Sequence, residues 1–403
     1  MFGIDSRKRA LVWTILLIAT VQMPNLGLSS GANSIKTAFG LSDGTVQVAM
    51  SMPALLSTVS GFVSSFLVRF RVISKKGITV AGIALVGLTG AAAIAFHSSF
   101  ELVYLYSILI GAGMGAYIPN AQSIAMDAFD EREFQIVAGV QSSFINGGGI
   151  VLSLLGGFLI SLTGQWSAMY ATLLFTVPIT FVALKFLPGE RHPARSPKGA
   201  PGSEKRRSPP LDRNVYRYTL KILVFMLLYC TLSSNISIHI ADYGAGDAGT
   251  AGVALAFTMA GGVASGFAFP KLSPILRGNM ASLSHAELFV SYVLLGLFPS
   301  SVAVILTASF IGGLSLSTML PHCLFSASAY VNSANSAVAT MLIGTLAPGT
   351  GSFLSPVVIT NVTQWLFGSS TSARFLFAGA VSAAIAAAQF IAIASSRRAL
   401  GRD

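Results

Sequence analysis

Apolar residues occur along this chain in long, nearly unbroken runs that are separated by short polar stretches. A run of about 20 apolar residues is long enough for a helix to cross the hydrocarbon layer of a membrane. The chain is 53% hydrophobic and only 10% charged, whereas soluble domains are about 25% charged. The pattern predicts an all-α membrane protein with twelve transmembrane helices, at about 10–32, 45–68, 77–97, 101–126, 135–163, 166–187, 217–240, 249–270, 280–298, 300–327, 336–363 and 371–396.

The basic residues collect on one side of the predicted membrane. If the chain crosses twice between successive basic clusters, every cluster lies on the same side, and only Lys36 and Arg374 lie on the other. Cytoplasmic loops of membrane proteins carry an excess of Lys and Arg. We therefore expect a multi-pass protein of the plasma (inner) membrane with both termini in the cytoplasm. The net charge of +11 then favours contact with anionic lipid head groups, and we expect no nucleic-acid partner.

The chain divides into two similar halves. The segment 188–216 is polar, basic and rich in proline, which predicts a cytoplasmic linker between a six-helix bundle at 1–187 and a second at 217–403. A shift of about 202 positions superposes glycines and prolines of one half on those of the other. This ordered repeat predicts two bundles related by a pseudo-twofold axis along the membrane normal. The superposed pairs are Lys75 with Arg277, Gly111 with Gly313, Pro119 with Pro321, Gly147 with Gly349, and Gly149 with Gly351.

Two loops carry a resemblance to a known family. The loop after the second span reads SSFLVRFRVISKK at 64–76 and is basic, although the acidic residue of the family pattern is absent there. The fourth span is followed by MDAFDEREF at 126–134. Together with the twelve spans and the duplication, these loops resemble the bacterial-type major facilitator superfamily, with no subfamily assigned. The resemblance implies a rocker switch, in which two rigid halves pivot about a central site lined by the first, fourth, seventh and tenth helices.

Polar side chains at mid-depth in those four helices are candidates for a substrate site, because polar groups in hydrocarbon are costly unless they face a cavity or a partner. The candidates are Gln22, Asn25, Asn120, Asn235 and His322. Asn120 and His322 follow equivalent prolines, and a helical proline frees a carbonyl one turn earlier. The alternative is that the amides tie helices together. Because no Arg, Lys, Asp or Glu lies at that depth, we expect a small, uncharged or weakly charged organic substrate.

Two residues are candidates for proton coupling. His322 is ionisable and near the mid-plane of the central helices, and an imidazole changes charge near neutral pH. Glu287 is a carboxylate within the ninth span, with an interfacial position as the alternative. Charged residues of the two loops are candidates for a gate that holds one conformational state, or else form a solvated surface. These gating candidates are Arg69, Arg71, Lys75, Asp127, Asp130, Glu131 and Arg132.

These patterns predict a secondary active transporter that works by alternating access. The sequence leaves open whether it imports its substrate or acts in efflux, and whether protons drive it. A facilitative uniporter, and a non-transporting receptor or channel with the same fold, are the alternatives. We expect neither an enzyme nor a cofactor, because no metal-ligand cluster, phosphate-binding loop or nucleotide motif occurs in the sequence. The expected partners are a small-molecule substrate and the lipid bilayer, and the expected oligomeric state is a monomer.

Overall fold

A computed structural model of the protein describes residues 8–189, 211–331 and 336–399. Most of these residues are helical, and no strand occurs among them. Residues 190–210, the greater part of the predicted linker, lie outside the described residues. The domain boundaries at 1–187 and 217–403 therefore stay predictions.

Within these described ranges, twelve helices are long and apolar enough to cross a membrane, so the predicted all-α fold is confirmed. Caps explain the two helices that start four residues earlier than predicted, at Glu131 and Arg213 rather than 135 and 217. Asp130 accepts a hydrogen bond of 2.8 Å from the Glu133 amide and caps the helix that begins at Glu131. Asp212 caps the helix that begins at Arg213. The helices are α1 (Arg9–Ser29), α2 (Asp43–Arg69), α3 (Lys75–Ala95), α4 (Phe100–Ala128), α5 (Glu131–Thr163), α6 (Trp166–Phe186), α7 (Arg213–Asp242), α8 (Ala248–Leu276), α9 (Met280–Leu297), α10 (Val302–Ser328), α11 (Val338–Phe367) and α12 (Thr371–Ala399).

The two halves pack their helices in the same pattern. In the first half α2 lies along α4, while α3 lies along both α4 and α6. In the second half α8 lies along α10, while α9 lies along both α10 and α12. Between the halves, α5 packs on α8 and α2 packs on α11. Every helix pair thus recurs six helices later, which is the pseudo-twofold relation that the sequence repeat predicts.

The helix ends lie on two faces of the molecule. We call one the linker face, because it carries the end of α6 and the start of α7; the opposite one is the far face. The number of crossings is even, so the start of α1 and the end of α12 also lie at the linker face. A short helix, Ala32–Phe39, leads from α1 to α2 at the far face.

Two membrane helices depart from regular geometry. α1 is interrupted just before Pro24, and the Tyr117 hydroxyl of α4 donates a hydrogen bond to the Val21 carbonyl at this break. α11 contains two π-helical segments, Leu342–Leu346 and Pro356–Thr360. Such wide turns are frequent at functional sites, and both helices contact the opposite half of the molecule.

Glycines allow α2, α3 and α4 to pack at close range. A Cβ atom at Gly115 of α4 would lie far inside contact distance of the Ser57 carbonyl of α2. A Cβ atom at Gly113 would lie 2.7 Å from the Gly82 carbonyl of α3. The Ser64 hydroxyl donates a 3.1 Å hydrogen bond to the Gly115 carbonyl. Small residues with backbone-directed hydrogen bonds are the usual means by which membrane helices associate, so these three helices form one rigid unit.

We predict that Gly115→Ala destabilises the first bundle, because the added methyl group would force α2 away from α4. The expected loss is about 1–3 kcal/mol, as for other overpacked cores, and thermal unfolding in detergent would measure it. Gly147→Ala is the matched control, since a Cβ atom there meets nothing within 4 Å. Equal melting temperatures for the two variants would contradict the close α2–α4 contact.

Candidate functional site

A buried ion pair joins the two halves at the far face. Asp43 is the first residue of α2, and Arg374 lies one turn into α12. The Arg374 Nη2 atom lies 2.6 Å from Asp43 Oδ2, and the two side chains are only 0% and 5% exposed. Lys36, on the short helix before α2, lies 2.8 Å from the other carboxylate oxygen of Asp43. A single carboxylate therefore holds one cation from its own half and one from the opposite half.

A chain of hydrogen bonds extends this ion pair towards the membrane interior. Arg374 Nη1 donates to Asn235 Oδ1 of α7 at 3.0 Å, and Gln47 Nε2 of α2 donates to the same oxygen at 2.8 Å. The Thr360 hydroxyl, at the end of the second π-helical segment of α11, donates to Gln47 Oε1 at 2.5 Å. Asn235, Gln47 and Thr360 are all buried. Gln47 of the first half thus bonds two residues of the second half, and Asn235 Oδ1 bonds one residue of each half.

A second acidic residue completes the arrangement nearer the surface. Asp242, at the end of α7, lies 3.7 Å from Lys36. It accepts a hydrogen bond of 3.4 Å from the Thr371 hydroxyl, which also bonds His239 Nδ1 at 2.9 Å. We call the whole set the far-face network. Its members are Lys36, Asp43, Gln47, Asn235, Asp242, Thr360 and Arg374.

The far-face network favours contact between the halves because its central ion pair, Asp43 with Arg374, is shielded from water, whereas Lys36 and Asp242 are 28% and 32% exposed. Removing one partner of a buried ion pair destabilises the folded arrangement by about 3–5 kcal/mol, because the other charge stays buried without compensation. The first half contributes Lys36 and Asp43, and the second contributes Asp242 and Arg374. The closure is therefore balanced in charge, and neither half brings an excess.

Helix contacts close the same face beside the network. The Gly249 amide of α8 donates to the Ser161 hydroxyl of α5 at 2.9 Å, and a Cβ atom at Gly252 would collide with the Ser153 carbonyl. The Ser161 hydroxyl also bonds Asp247, which precedes α8, and this bond holds the pKa of the carboxyl below its usual value. The hydrogen bonds between the halves, among the described residues, lie on this far-face side.

A cavity of about 530 Å³ lies between the contact of α2 with α11 and the linker face. Its wall comes from α1, α2, α4 and α5 of the first half and from α11 of the second. Amides and hydroxyls supply its polar groups, and no charged side chain is among its lining residues. We call it the central cavity. Its polar lining residues are Gln22, Ser57, Thr58, Ser65, Gln122, Ser123, Gln141, Ser142 and Thr345.

The structure separates the five predicted substrate-binding residues. Gln22 lines the central cavity, whereas Asn25 lies one turn further along α1 and is not in its wall. Asn120 is buried and donates to Ser64 Oγ of α2 at 3.1 Å, which ties α4 to α2. Asn235 belongs to the far-face network. His322 lines a different cavity, inside the second half. Their roles in binding stay predictions.

The two proton-coupling candidates also lie within the second half. His322 is half-buried, and its Nδ1 atom lies 3.5 Å from the Ser326 hydroxyl on the same helix. Glu287 of α9 is half-buried, and its Oε2 atom has no hydrogen-bond partner among the described residues. Neither side chain reaches the wall of the central cavity, so any coupling through them would have to act through the packing of the second half.

The predicted gating residues lie at the linker face of the first half. Lys75 and Asp127 form an ion pair of 2.5 Å between the start of α3 and the end of α4. Asp130 caps α5, and Arg71 is exposed in a left-handed turn with a φ of 56°. The pair of Lys75 with Asp127 joins helices of one half only. The side chains of Arg69, Glu131 and Arg132 lie outside the described residues.

The far-face network is the feature that the sequence analysis missed, apart from Asn235. One signal for it was present, because Lys36 and Arg374 were the two bases on the side of the membrane opposite the other basic residues. A basic side chain inside or beside a membrane-spanning helix usually pairs with an acidic one, because an unpaired charge there is costly. Asp43 and Asp242 are those acids. Among the described residues, no group of three or more His, Cys, Asp or Glu side chains has metal-binding geometry.

Among the described residues, twelve helices long enough to cross a membrane form two bundles, with an uncharged cavity between them and a charged closure at one face. This arrangement is typical of a membrane transporter. The family model of the Major Facilitator Superfamily matches residues 12–356, and the chain belongs to this family. No curated protein sequence matches the chain.

Solved transporter structures share the fold. A bacterial homologue of the human lysosomal transporter Spinster, inward-facing and occupied, has a TM-score of 0.77 at 16% identity and covers 98% of both chains. The nucleoside transporter NupG has a TM-score of 0.74 at 11% identity, with 94% of this chain and 99% of that chain covered. The POT family transporter PepTSo has a TM-score of 0.71 at 13% identity, with 96% and 98% covered. At these identities the likeness shows the fold alone.

We predict that substitution of Gln22 weakens ligand binding, whereas substitution of Asn120 lowers the stability of the free protein. Gln22→Ala should weaken binding of a compound that stabilises the wild type in a thermal-shift screen by about tenfold, with the melting temperature of the free protein unchanged. Asn120→Ala should lower the stability of the free protein by about 1 kcal/mol, because it removes the bond to Ser64. If Asn120→Ala instead keeps its stability and loses only the response to the compound, Asn120 belongs to the binding site.

Proposed function

We propose that the protein is a secondary active transporter of a small, uncharged or weakly charged organic molecule, acting as a monomer by rocker-switch alternating access. The observation that carries this proposal is an uncharged cavity with amides and hydroxyls in its wall, on the linker-face side of a charged closure that joins the two halves. In this state the far face is closed, and the central cavity lies on the linker-face side of the closure. Rocking the halves about the level of the cavity would open the far face and close the linker face.

The linker face is proposed to lie in the cytoplasm, in the plasma (inner) membrane. The basic residues of the chain support this orientation, since all but Lys36 and Arg374 belong to segments at the linker face. The structure then corresponds to an inward-open state, and both chain termini are cytoplasmic. The orientation fixes no direction of transport, so import and efflux are both compatible with it.

The wall of the central cavity supports the proposed class of substrate. Three amides, those of Gln22, Gln122 and Gln141, can donate and accept hydrogen bonds together with the surrounding hydroxyls. No side chain in this wall offers a permanent counter-charge. A volume of about 530 Å³ is in the usual range for small-molecule sites. Nucleosides and peptides are suitable first compounds, because the structurally similar proteins include a nucleoside transporter and a POT family peptide transporter.

The far-face network supplies a physical account of the proposed cycle. To open the far face, the Arg374–Asp43 ion pair and the Gln47–Asn235 hydrogen bond must break. That cost keeps the empty protein in the closed-far-face state. A bound substrate would favour the other state only if it gained contacts there, because a ligand shifts an equilibrium by its difference in affinity for the two states.

We predict that Asp43→Asn opens the far face. The reporter is Ile238→Cys in a protein that lacks Cys230 and Cys323, because Ile238 of α7 is 0% exposed and packs against the core of the first half. Loss of the counter-charge of Arg374 should raise the rate of labelling by a polar thiol reagent by about tenfold or more.

Two further variants decide how the labelling result is interpreted. Glu133→Gln removes the 2.6 Å ion pair with Lys8 at the linker face of the first half, and it should leave labelling unchanged. Combining Asp43→Asn with Arg374→Gln should give less labelling than the sum of the single effects, since neither charge is then left unpaired. Unaltered labelling in Asp43→Asn would exclude the ion pair as a gate.

We predict saturable, gradient-dependent uptake by the purified protein in vesicles. The compounds are nucleosides, dipeptides and any compound that emerges from a thermal-shift screen, tested with and without a pH gradient. The proteins are the wild type, His322→Gln and Glu287→Gln. Loss of gradient-driven accumulation with exchange retained, in one variant only, would assign the coupling role to that residue.

The other outcomes of the vesicle assay separate the alternatives. Saturable uptake that ignores the pH gradient in all three proteins would indicate a uniporter or another coupling ion. Binding without uptake would indicate a receptor, and flux that does not saturate would indicate a channel. Either of the last two results would overturn the proposed transport function.

A further inference from the structure

The second half contains a cavity of its own at the linker face, separate from the central cavity. Its volume is about 330 Å³, and its wall comes from α7, α8, α10, α12 and the turn before α9. We call it the C-half cavity. None of its lining residues belongs to the first half, so a rocking motion of rigid halves would leave it intact. Its polar lining residues are Tyr218, Lys221, Ser273, His322 and Ser326.

Lys221 gives this cavity a positive charge that no acid balances. No carboxylate among the described residues lies within ion-pair distance of its ammonium group. The ammonium lies 5.1 Å from the centre of the Tyr218 ring, a cation–π contact that satisfies the charge only in part. A half-buried cation inside a helix bundle ordinarily pairs with an acid or a backbone carbonyl, so Lys221 has remaining capacity to bind an anion.

A buried polar atom next to the C-half cavity also lacks a partner. Phe225 lies one turn along α7 from Lys221, and the His285 ring packs edge-on against it. The buried Nδ1 atom of His285 has no hydrogen-bond partner among the described residues. A buried polar atom without a partner is costly. An unpartnered imidazole nitrogen close to a half-buried ammonium group indicates a site for a polar ligand that accepts hydrogen bonds.

We propose that the C-half cavity binds a phosphate group. A phosphate offers several acceptor oxygens around one tetrahedral centre, which suits an ammonium, an imidazole and two hydroxyls that approach from different helices. The remaining lining residues include Phe325, which is 79% exposed, and Ile393. An apolar rim beside a basic, polar interior fits the head group of an anionic phospholipid, and a free phosphate shares the same chemistry. Occupancy would brace α7, α10 and α12 against one another.

The test uses the full-length protein, purified in a neutral detergent and stripped of lipid. Phosphatidylglycerol and phosphatidylcholine with identical acyl chains form the lipid arm, and inorganic phosphate forms the free-anion arm. Native mass spectrometry counts retained lipid, and thermal unfolding measures stabilisation. The variants are Lys221→Met, which keeps the length of the side chain, and Lys221→Arg, which keeps the charge. Lys185→Met is the matched control, because Lys185 is an exposed base at the linker face, 5.2 Å from the Phe186 ring.

We expect the wild type and Lys185→Met to retain phosphatidylglycerol over phosphatidylcholine, and Lys221→Met to bind it about tenfold or more weakly. Lys221→Arg should retain most of the binding. That result would show that the weaker binding of Lys221→Met comes from the lost charge and not from a folding defect. A phosphate effect that depends on Lys221 without a lipid preference would assign the site to a free anion. Equal binding by the wild type and Lys221→Met in both arms would overturn the proposal, as would an equal loss in Lys185→Met.

Discussion

A guanidinium group that is shielded from water needs a counter-charge, and here that counter-charge belongs to the other half of the molecule. Arg374 of α12 is fully buried only because Asp43 of α2 lies 2.6 Å away. The desolvation cost of such a pair largely cancels its attraction, so it adds little to overall stability. In the proposed cycle its effect would be on specificity, because a state in which the halves separate must rehydrate both charges. This one interaction would then select which end of the cavity is closed.

The distribution of charge would make this closure reversible in the proposed cycle. Lys36 stays 2.8 Å from Asp43 within the first half, and Asp242 lies on the same half as Arg374. When the halves separate, each therefore takes one acid and one base with it. If both acids lay on one half and both bases on the other, the halves would attract each other more strongly. Opening such a closure would leave one half with two unpaired acids and the other with two unpaired bases at the edge of the hydrocarbon. The hydrogen bond between the Gln47 and Asn235 side chains adds a geometric requirement to the charge balance, because a hydrogen bond needs a narrow range of distance and angle.

The sequence predicted the helices well and the contacts between them poorly, for a physical reason. A helix in a membrane must satisfy its own backbone hydrogen bonds, so its presence is encoded locally in about 20 apolar residues. The pairing of Asp43 with Arg374 joins residues far apart in the chain, and no local pattern specifies it. Asn235 was predicted to bind substrate from its polar side chain at mid-depth, and this role stays a prediction; its partners on α2 and α12 depend on how the halves meet. Only the isolated positions of Lys36 and Arg374 hinted at an ionic contact.

The repeat predicted equivalent positions for Asn120 and His322, and the structure shows how their surroundings differ. Asn120 donates a hydrogen bond to the Ser64 hydroxyl across the interface between α4 and α2. The same shift of about 202 positions places Gly266 of α8 opposite Ser64, and a Cβ atom at Gly266 would meet nothing within 4 Å. The hydroxyl between α8 and α10 comes from the neighbouring Ser265 instead, which bonds the Thr318 hydroxyl of α10 at 3.0 Å. His322 has no such partner among the described residues of α8 and lines a cavity with Lys221. The two halves thus share their helix packing but differ in the side chains that fill it, and in the second half the difference places an imidazole in the same cavity as a positive charge.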